Sequence, residues 1–150
     1  EQQSRQVRWG HNTFSILYLD LDKFKKVNDK FGHQMGDDIL REFVMVVATS
    51  IYSDDRLVRW GGEEFVVFCP DTNIEQALEK AEMIRKNVED HLWVHGESLT
   101  CSIGVAQMQN ERVSETMARA DEVLYQAKRN GRNRVEAHYG LLACEKKQAW

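Results

Sequence analysis

The run Phe14-Ser15-Ile16-Leu17-Tyr18-Leu19 is almost continuously apolar. A strand with one wet face would alternate, so this run predicts a central β-strand covered on both faces. It passes into Asp20-Leu21-Asp22-Lys23-Phe24-Lys25-Lys26-Val27-Asn28-Asp29, a polar segment that predicts a short helix, and then into a glycine-bounded loop over Lys30–Gly36. From near Asp37, the residues Ile39, Leu40, Phe43, Val47 and Ile51 fall on one helical face. Leu57-Val58-Arg59-Trp60 and Phe65-Val66-Val67-Phe68 flank Gly61-Gly62-Glu63-Glu64. That pattern predicts a β-hairpin whose tip needs residues tolerant of positive φ. Past Pro70, the residues Ile74, Ala77, Leu78, Ala81, Ile84 and Val88 predict a second amphipathic helix, with Asp71, Thr72 or Asn73 as its N-cap. Leu99–Val105 alternates with period two, as a strand buried on one face does. Val113, Met117, Ala120, Leu124 and Ala127 mark a third helix, with Gly131 placed to end it, and Arg134–Ala137 a short last strand.

The order β-α-β-β-α-β-α-β predicts an α+β fold with a mixed, largely antiparallel central sheet flanked by helices. Residues 14–138 form one domain in this reading. Residues 1–13 read as the end of an upstream helix and loop, so the chain reads as a fragment, and residues 139–150 read as a tail without pattern. Composition narrows the class. The chain has 150 residues, 42% of them hydrophobic, enough for a single core. Its net charge of −4, with acids and bases mixed, argues against nucleic acid as a partner. No apolar run approaches the ~20 residues of a bilayer span, so membrane contact by this piece is not expected. Cys69, Cys101 and Cys144 form no close pair and suit reduced thiols in a cytoplasmic domain. His91 and His95 have i, i+4 spacing without a suitable acid or thiol, which argues against zinc.

Candidate chemistry gathers at two places. Asp20 stands at the C-terminal end of the buried strand, where open sheets place ligands, and Asp22 follows two positions on. Glu63 and Glu64 crowd like charges at the hairpin tip. Alone, the tip fits a solvated hairpin with acidic decoration as well as it fits a bound cation. Acids from both places are together the parts of a magnesium site, in which one or two carboxylates leave the remaining positions to phosphates and water. Lys25, Arg59 and Lys128 could then neutralise a triphosphate, although Lys128 near a helix end also complements the helix dipole. The combination describes a nucleotide-polymerase-like palm, a ferredoxin-like βαββαβ core.

The sequence resembles the GGDEF domain of bacterial diguanylate cyclases, with the hairpin in its GGEEF form. The resemblance rests on five ordered blocks between about Phe14 and Ala137. They are Asp20–Asp29, Phe31-Gly32-His33-x-x-Gly36-Asp37, Arg59–Phe65, Ser102-Ile103-Gly104, and Ala120-Asp121-x-x-x-Tyr125-x-Ala127-Lys128-x-x-Gly131-Arg132-Asn133. It implies a reaction in which two GTP molecules, on two facing domains of a homodimer, condense to cyclic di-GMP and two pyrophosphates. It also implies a cofactor, Mg2+ or Mn2+, two ions per active site. Asp20 and Glu63 would hold the metal, with the backbone carbonyl of Leu21, and Glu64 would be a candidate for assisting deprotonation. Gly61 and Gly62 would let the hairpin backbone approach substrate. Asn28 and Asp37 would read guanine, the carboxylate accepting from a donor pair that adenine lacks. For Asp37, helix N-capping is the competing role. Lys25, Lys128 and Arg132 would contact phosphates, joined by the amides of Lys23 and Phe24. Arg59 would serve the phosphates or brace the hairpin.

Two departures from the family pattern matter. Many relatives carry an Arg-x-x-Asp product-inhibition site, and the corresponding residues here are Tyr52-Ser53-Asp54-Asp55. Asp55 is kept but Tyr52 replaces the arginine, so the site is expected to be absent. The family segment upstream of the first strand is also missing, and regulatory domains are expected upstream of that, in a full-length protein that could be membrane-anchored. Two other readings stand beside the cyclase. One is a catalytically silent module that binds GTP or cyclic di-GMP, and the other is a dimerisation module without chemistry.

Overall fold

The computed structural model describes residues 13–140. The expected upstream helix end and most of the expected tail lie outside the described residues. Five strands and four helices follow one another as β1 (Phe14–Leu21), α1 (Phe24–Phe31), α2 (His33–Ala48), β2 (Arg56–Arg59), β3 (Glu64–Pro70), α3 (Ile74–Asp90), β4 (Cys101–Gln107), α4 (Val113–Arg129) and β5 (Arg134–His138). The sheet order is β2-β3-β1-β4-β5. β1 pairs antiparallel with both β3 and β4, and only the β4–β5 pair is parallel. The first four strands and the helices joining them form the ferredoxin-like core, as expected.

Both faces of the sheet are covered. Leu17, Leu19 and Leu21 point into the larger core with residues of α2 and α3, including Phe43, Ile84 and Val88. Ile16 and Tyr18 point the other way, onto Met117, Ala120 and Leu124 of α4. Asp20 continues that second row, so it emerges on the α4 side. Burying a Leu or Ile side chain contributes about 1.5–3 kcal/mol, which makes β1, apolar on both faces, the thermodynamic centre of the domain.

The period-two strand was expected to be buried on one face only, yet Cys101–Ala106 are buried throughout. The polar or small residues Ser102, Gly104 and Ala106 face α4, not water. Gly104 explains the closeness of that helix: a Cβ there would lie 2.1 Å from the carbonyl oxygen of Ala120 and 2.6 Å from the Leu124 nitrogen. Asn73 is the N-cap of α3, accepting from the Gln76 amide at 2.8 Å. α2 begins at His33, four residues before the expected start near Asp37. A single glycine, Gly32 at φ 92°, separates it from α1, and Gly36 lies inside the helix. Tyr139 and Gly140 are placed beside Gln109, whose amide donates to the Tyr139 carbonyl at 3.3 Å. Cys69 and Cys101 are free and buried, with burial pushing the Cys69 thiol up to about 12.

Candidate active site

Asp20 pairs with Glu64 across β1 and β3, so the end of the central strand meets the start of the hairpin's second strand. The Asp20 side chain is almost entirely buried, and Lys128 of α4 binds its Oδ2. Its Oδ1 is buried without any hydrogen-bond partner. Burial raises the Asp20 pKa to about 6, opposed by Lys128 and reinforced by the charges of Glu63 and Glu64. A buried acid with an empty oxygen and two acidic neighbours is a costly arrangement for folding alone. A divalent cation would fill the empty oxygen and neutralise the crowding, so the residues present fit Mg2+ or Mn2+. Among the described residues no three His, Cys, Asp or Glu side chains cluster for a metal. Few protein donors suit magnesium, which keeps much of its water and takes substrate oxygens for the rest.

Asp22 goes elsewhere. Its carboxylate accepts from Thr100 Oγ1 at 2.7 Å, Ser102 Oγ at 2.7 Å and the Asn133 amide at 3.0 Å. It ties the end of β1 to β4 and to the turn after α4, and that corrects its reading as part of the carboxylate site. The turn itself is a helix end of the Schellman type. The Arg132 amide reaches the Ala127 carbonyl at 2.9 Å, and Gly131 has φ 122°. Arg132 thereby follows Lys128 at the same end of α4.

At the hairpin, Trp60 and Gly61 amides both donate to the Glu64 carbonyl, at 2.8 and 3.2 Å. Neither Gly61 nor Gly62 has φ in the left-handed range, which corrects the expected reason for two glycines. What they share is bareness. A Cβ on Gly62 would enter open space, and one on Gly61 would press to 3.3 Å from Glu64 Oε1. Arg59 donates to the Gly61 carbonyl at 3.2 Å and the Gly62 carbonyl at 3.0 Å, so it braces the tip. Glu64 accepts from Tyr18 OH at 3.1 Å. Burial and the Glu64 charge push that phenol well above its ordinary range. Tyr18 went unrecognised as a site residue from sequence, although its position two residues before Asp20 puts both on one face of β1.

Asn28 and Asp37 are brought to the first turns of α2. Gly36 makes this possible: a Cβ there would sit 1.9 Å from Asn28 Oδ1. Asp37 is exposed and does not cap the helix, whose N-cap is Gly32. It lines a cleft of about 360 Å³ with Leu40, Arg41, Val44, Leu57, Arg59 and Phe65, between α2 and the hairpin. Of its other α2 and β2 side chains, Leu40 and Leu57 were read from sequence only as packing positions, and Arg41 and Val44 were not singled out. Lys25 stands apart, paired with Asp29 at 3.1 Å on the solvent face of α1. Lys23 sits in the left-handed conformation at φ 58° and starts α1, whose first amides have no acceptor within the helix. Asp55 is buried in an ion pair with Lys80 at 2.6 Å and accepts from the Tyr52 amide at 2.8 Å. The Tyr52 ring lies 4.6 Å from the Lys80 ammonium.

A family model described as diguanylate cyclase, GGDEF domain, matches residues 1–134. Response regulator PleD of Caulobacter vibrioides is 44% identical over 133 residues, covering 84% of this chain and 29% of PleD. Diguanylate cyclase DgcM of Escherichia coli is 42% identical over 125 residues, covering 83% of this chain and 30% of DgcM. The chain thus spans about three tenths of the length of these curated relatives. Among solved structures, the active GGEEF domain of a diguanylate cyclase from Vibrio cholerae superposes with a TM-score of 0.81 at 33% identity, covering 85% of this chain and 84% of that one. The GGDEF domain of DgcB from Caulobacter crescentus, solved in complex with c-di-GMP, gives 0.82 at 33% identity, covering 89% and 82%.

Proposed function

The chain belongs to the diguanylate cyclase GGDEF-domain family, and from that premise we propose that it condenses two GTP molecules into cyclic di-GMP with release of two pyrophosphates. The observation that carries this reading is the empty, buried Oδ1 of Asp20 beside two hairpin acids. Asp20, Glu63 and the Leu21 carbonyl would hold two Mg2+ or Mn2+ ions. Bound there, the metal supplies charge neutralisation of the phosphates and lowers the pKa of the attacking 3′-hydroxyl.

The chain's own groups do the rest. Asn28 and Asp37 hold the guanine edge at the start of α2, which favours GTP over ATP because adenine lacks the paired donors. Lys128 gives up part of its hold on Asp20 to meet phosphate oxygens, and Arg132 and the first amides of α1 complete the cradle. Lys25 is free to leave Asp29 for the same purpose, since an exposed i, i+4 pair contributes only about 0.3–0.5 kcal/mol. Glu64, held by Tyr18, orders the hairpin in the metal-free protein and is the less direct of the two acids. Arg59 keeps the tip rigid while bare Gly62 leaves room for the substrate. Each domain supplies half of the reaction, so turnover requires a homodimer with the two sites facing, which orients the two substrates in line. In the whole protein an upstream regulatory segment would control that encounter, in the bacterial cytoplasm. Among the described residues no helix is long and apolar enough to cross a membrane.

Incubation with GTP and magnesium should give cyclic di-GMP and pyrophosphate in a 1:2 ratio by the balance of the reaction, with Glu63→Ala inactive. GTP binding without product, at concentrations where the chain is dimeric, would instead identify a silent nucleotide-binding module. Because Asp55 is committed to Lys80 and Tyr52 replaces the family arginine, added cyclic di-GMP should produce no strong noncompetitive inhibition of the initial rate.

A further inference from the structure

A second cleft, of about 470 Å³, opens between α1, the 95–100 segment and the turn after α4. Lys26 and Lys30 line it from successive turns of α1, Lys23 from the N-cap of that helix, and Arg132 from the turn. Only two carboxylates are among its walls, Asp22 and Glu97. Asp22 already accepts three hydrogen bonds, and Glu97 is bound to Lys30 at 2.5 Å. Lys23, Lys26 and Arg132 make no ion pair among the described residues. This concentration of positive charge occurs in a chain whose net charge is −4.

The cleft is also held in shape. Lys23, Arg132 and Asn133 adopt left-handed φ of 58°, 63° and 47°, a conformation unfavourable for residues with a Cβ. Asp22 fixes the turn through the Asn133 amide and anchors it to β4 through Thr100 and Ser102. Strain maintained in this way is a feature of ligand clamps. His95, T-stacked on Phe31 at 5.1 Å, lines the cleft as well, and its buried Nδ1 has no hydrogen-bond partner.

We propose that this cleft is a site for inorganic pyrophosphate, the leaving group of the reaction proposed above, on which the assignment of the ligand rests. Pyrophosphate carries several acceptor oxygens on two phosphorus centres and no base. It matches several cations spread along a cleft better than one cation does. Arg132 belongs both to this cleft and to the proposed phosphate cradle, to which Lys23 lends its amide, so the leaving group moves onto Lys26 and Lys30 without first crossing open solvent. Reaching back to Arg132, it occupies a cation that the next GTP needs, which makes pyrophosphate a product inhibitor.

Isothermal titration of sodium pyrophosphate into the chain, with magnesium present, tests this. Saturable binding is expected, weakened about tenfold by Lys26→Gln combined with Lys30→Gln, a change equivalent to the loss of one charge-assisted contact. GTP binding should be unaltered in the double variant. Both lysines are exposed, so an unchanged melting temperature verifies folding, and Lys26→Arg should retain pyrophosphate binding. Equal pyrophosphate affinity in wild type and double variant overturns the site, as does equal affinity for orthophosphate and pyrophosphate. Lysine-dependent pyrophosphate binding in a protein that makes no cyclic di-GMP keeps the site and defeats the cyclase reading. Turnover with lysine-independent pyrophosphate binding does the reverse.

Discussion

Asp20 and Asp55 are both buried acids paired with a lysine, and they behave differently because of what else surrounds them. Asp55 receives Lys80 at 2.6 Å and the Tyr52 amide at 2.8 Å, and the lysine is further sheltered by the Tyr52 ring. Asp20 has Lys128 on one oxygen, nothing on the other, and two acids close enough to raise its pKa. The first arrangement is closed and supports the fold. The second is left open at the strand end, where a cation can complete it. Two buried acids with the same kind of partner therefore differ in whether their second oxygen is satisfied.

The contrast can be broken hardest at Asp55. Lys80→Met leaves a buried carboxylate without its cation and should lower unfolding free energy by about 3–5 kcal/mol in urea denaturation. Asp20→Asn in the metal-free protein should instead be neutral or stabilising at neutral pH, because it removes a carboxylate whose charged form burial disfavours. Gly104→Ala comes next. The added Cβ meets the α4 backbone, so the helix must shift, with a loss of about 1–3 kcal/mol. Moving α4 draws Lys128 away from Asp20, and magnesium affinity should change with it, whereas Lys80→Met should leave that affinity alone in the folded fraction.

The last contrast is in pH. The folded pKa of Asp20, about 6, lies above its ordinary 3.8. Between those values the folded metal-free protein keeps a proton that the unfolded chain has lost. Stability from this group is therefore complete below about 3.8 and is lost as pH rises through about 6. The difference in melting temperature between wild type and Asp20→Asn should follow that window, and a difference independent of pH would place the titration elsewhere.

Much of this was legible in the chain. The unbroken apolar run of β1 announced a strand covered on both faces, because that signal is local. Asp22 was not distinguishable from Asp20, since its partners Thr100, Ser102 and Asn133 lie 78, 80 and 111 residues away. Gly36 looked like a loop boundary, but the reason for its small size is Asn28 from the preceding helix. Gly104 and Ser102 looked like the wet face of a strand; Gly104 is instead the close contact with α4, and Ser102 is buried on Asp22. In each case the residue type was informative, and only the tertiary neighbour says for what.

Manganese titration followed by electron paramagnetic resonance, with a non-hydrolysable GTP analogue present, tests the open carboxylate most directly. Wild type should bind the ion, Asp20→Asn should weaken binding by about tenfold or more, and Asp55→Asn, where it folds, should bind as wild type does. Equal manganese binding by wild type and Asp20→Asn would contradict the assignment of Asp20 as the metal ligand.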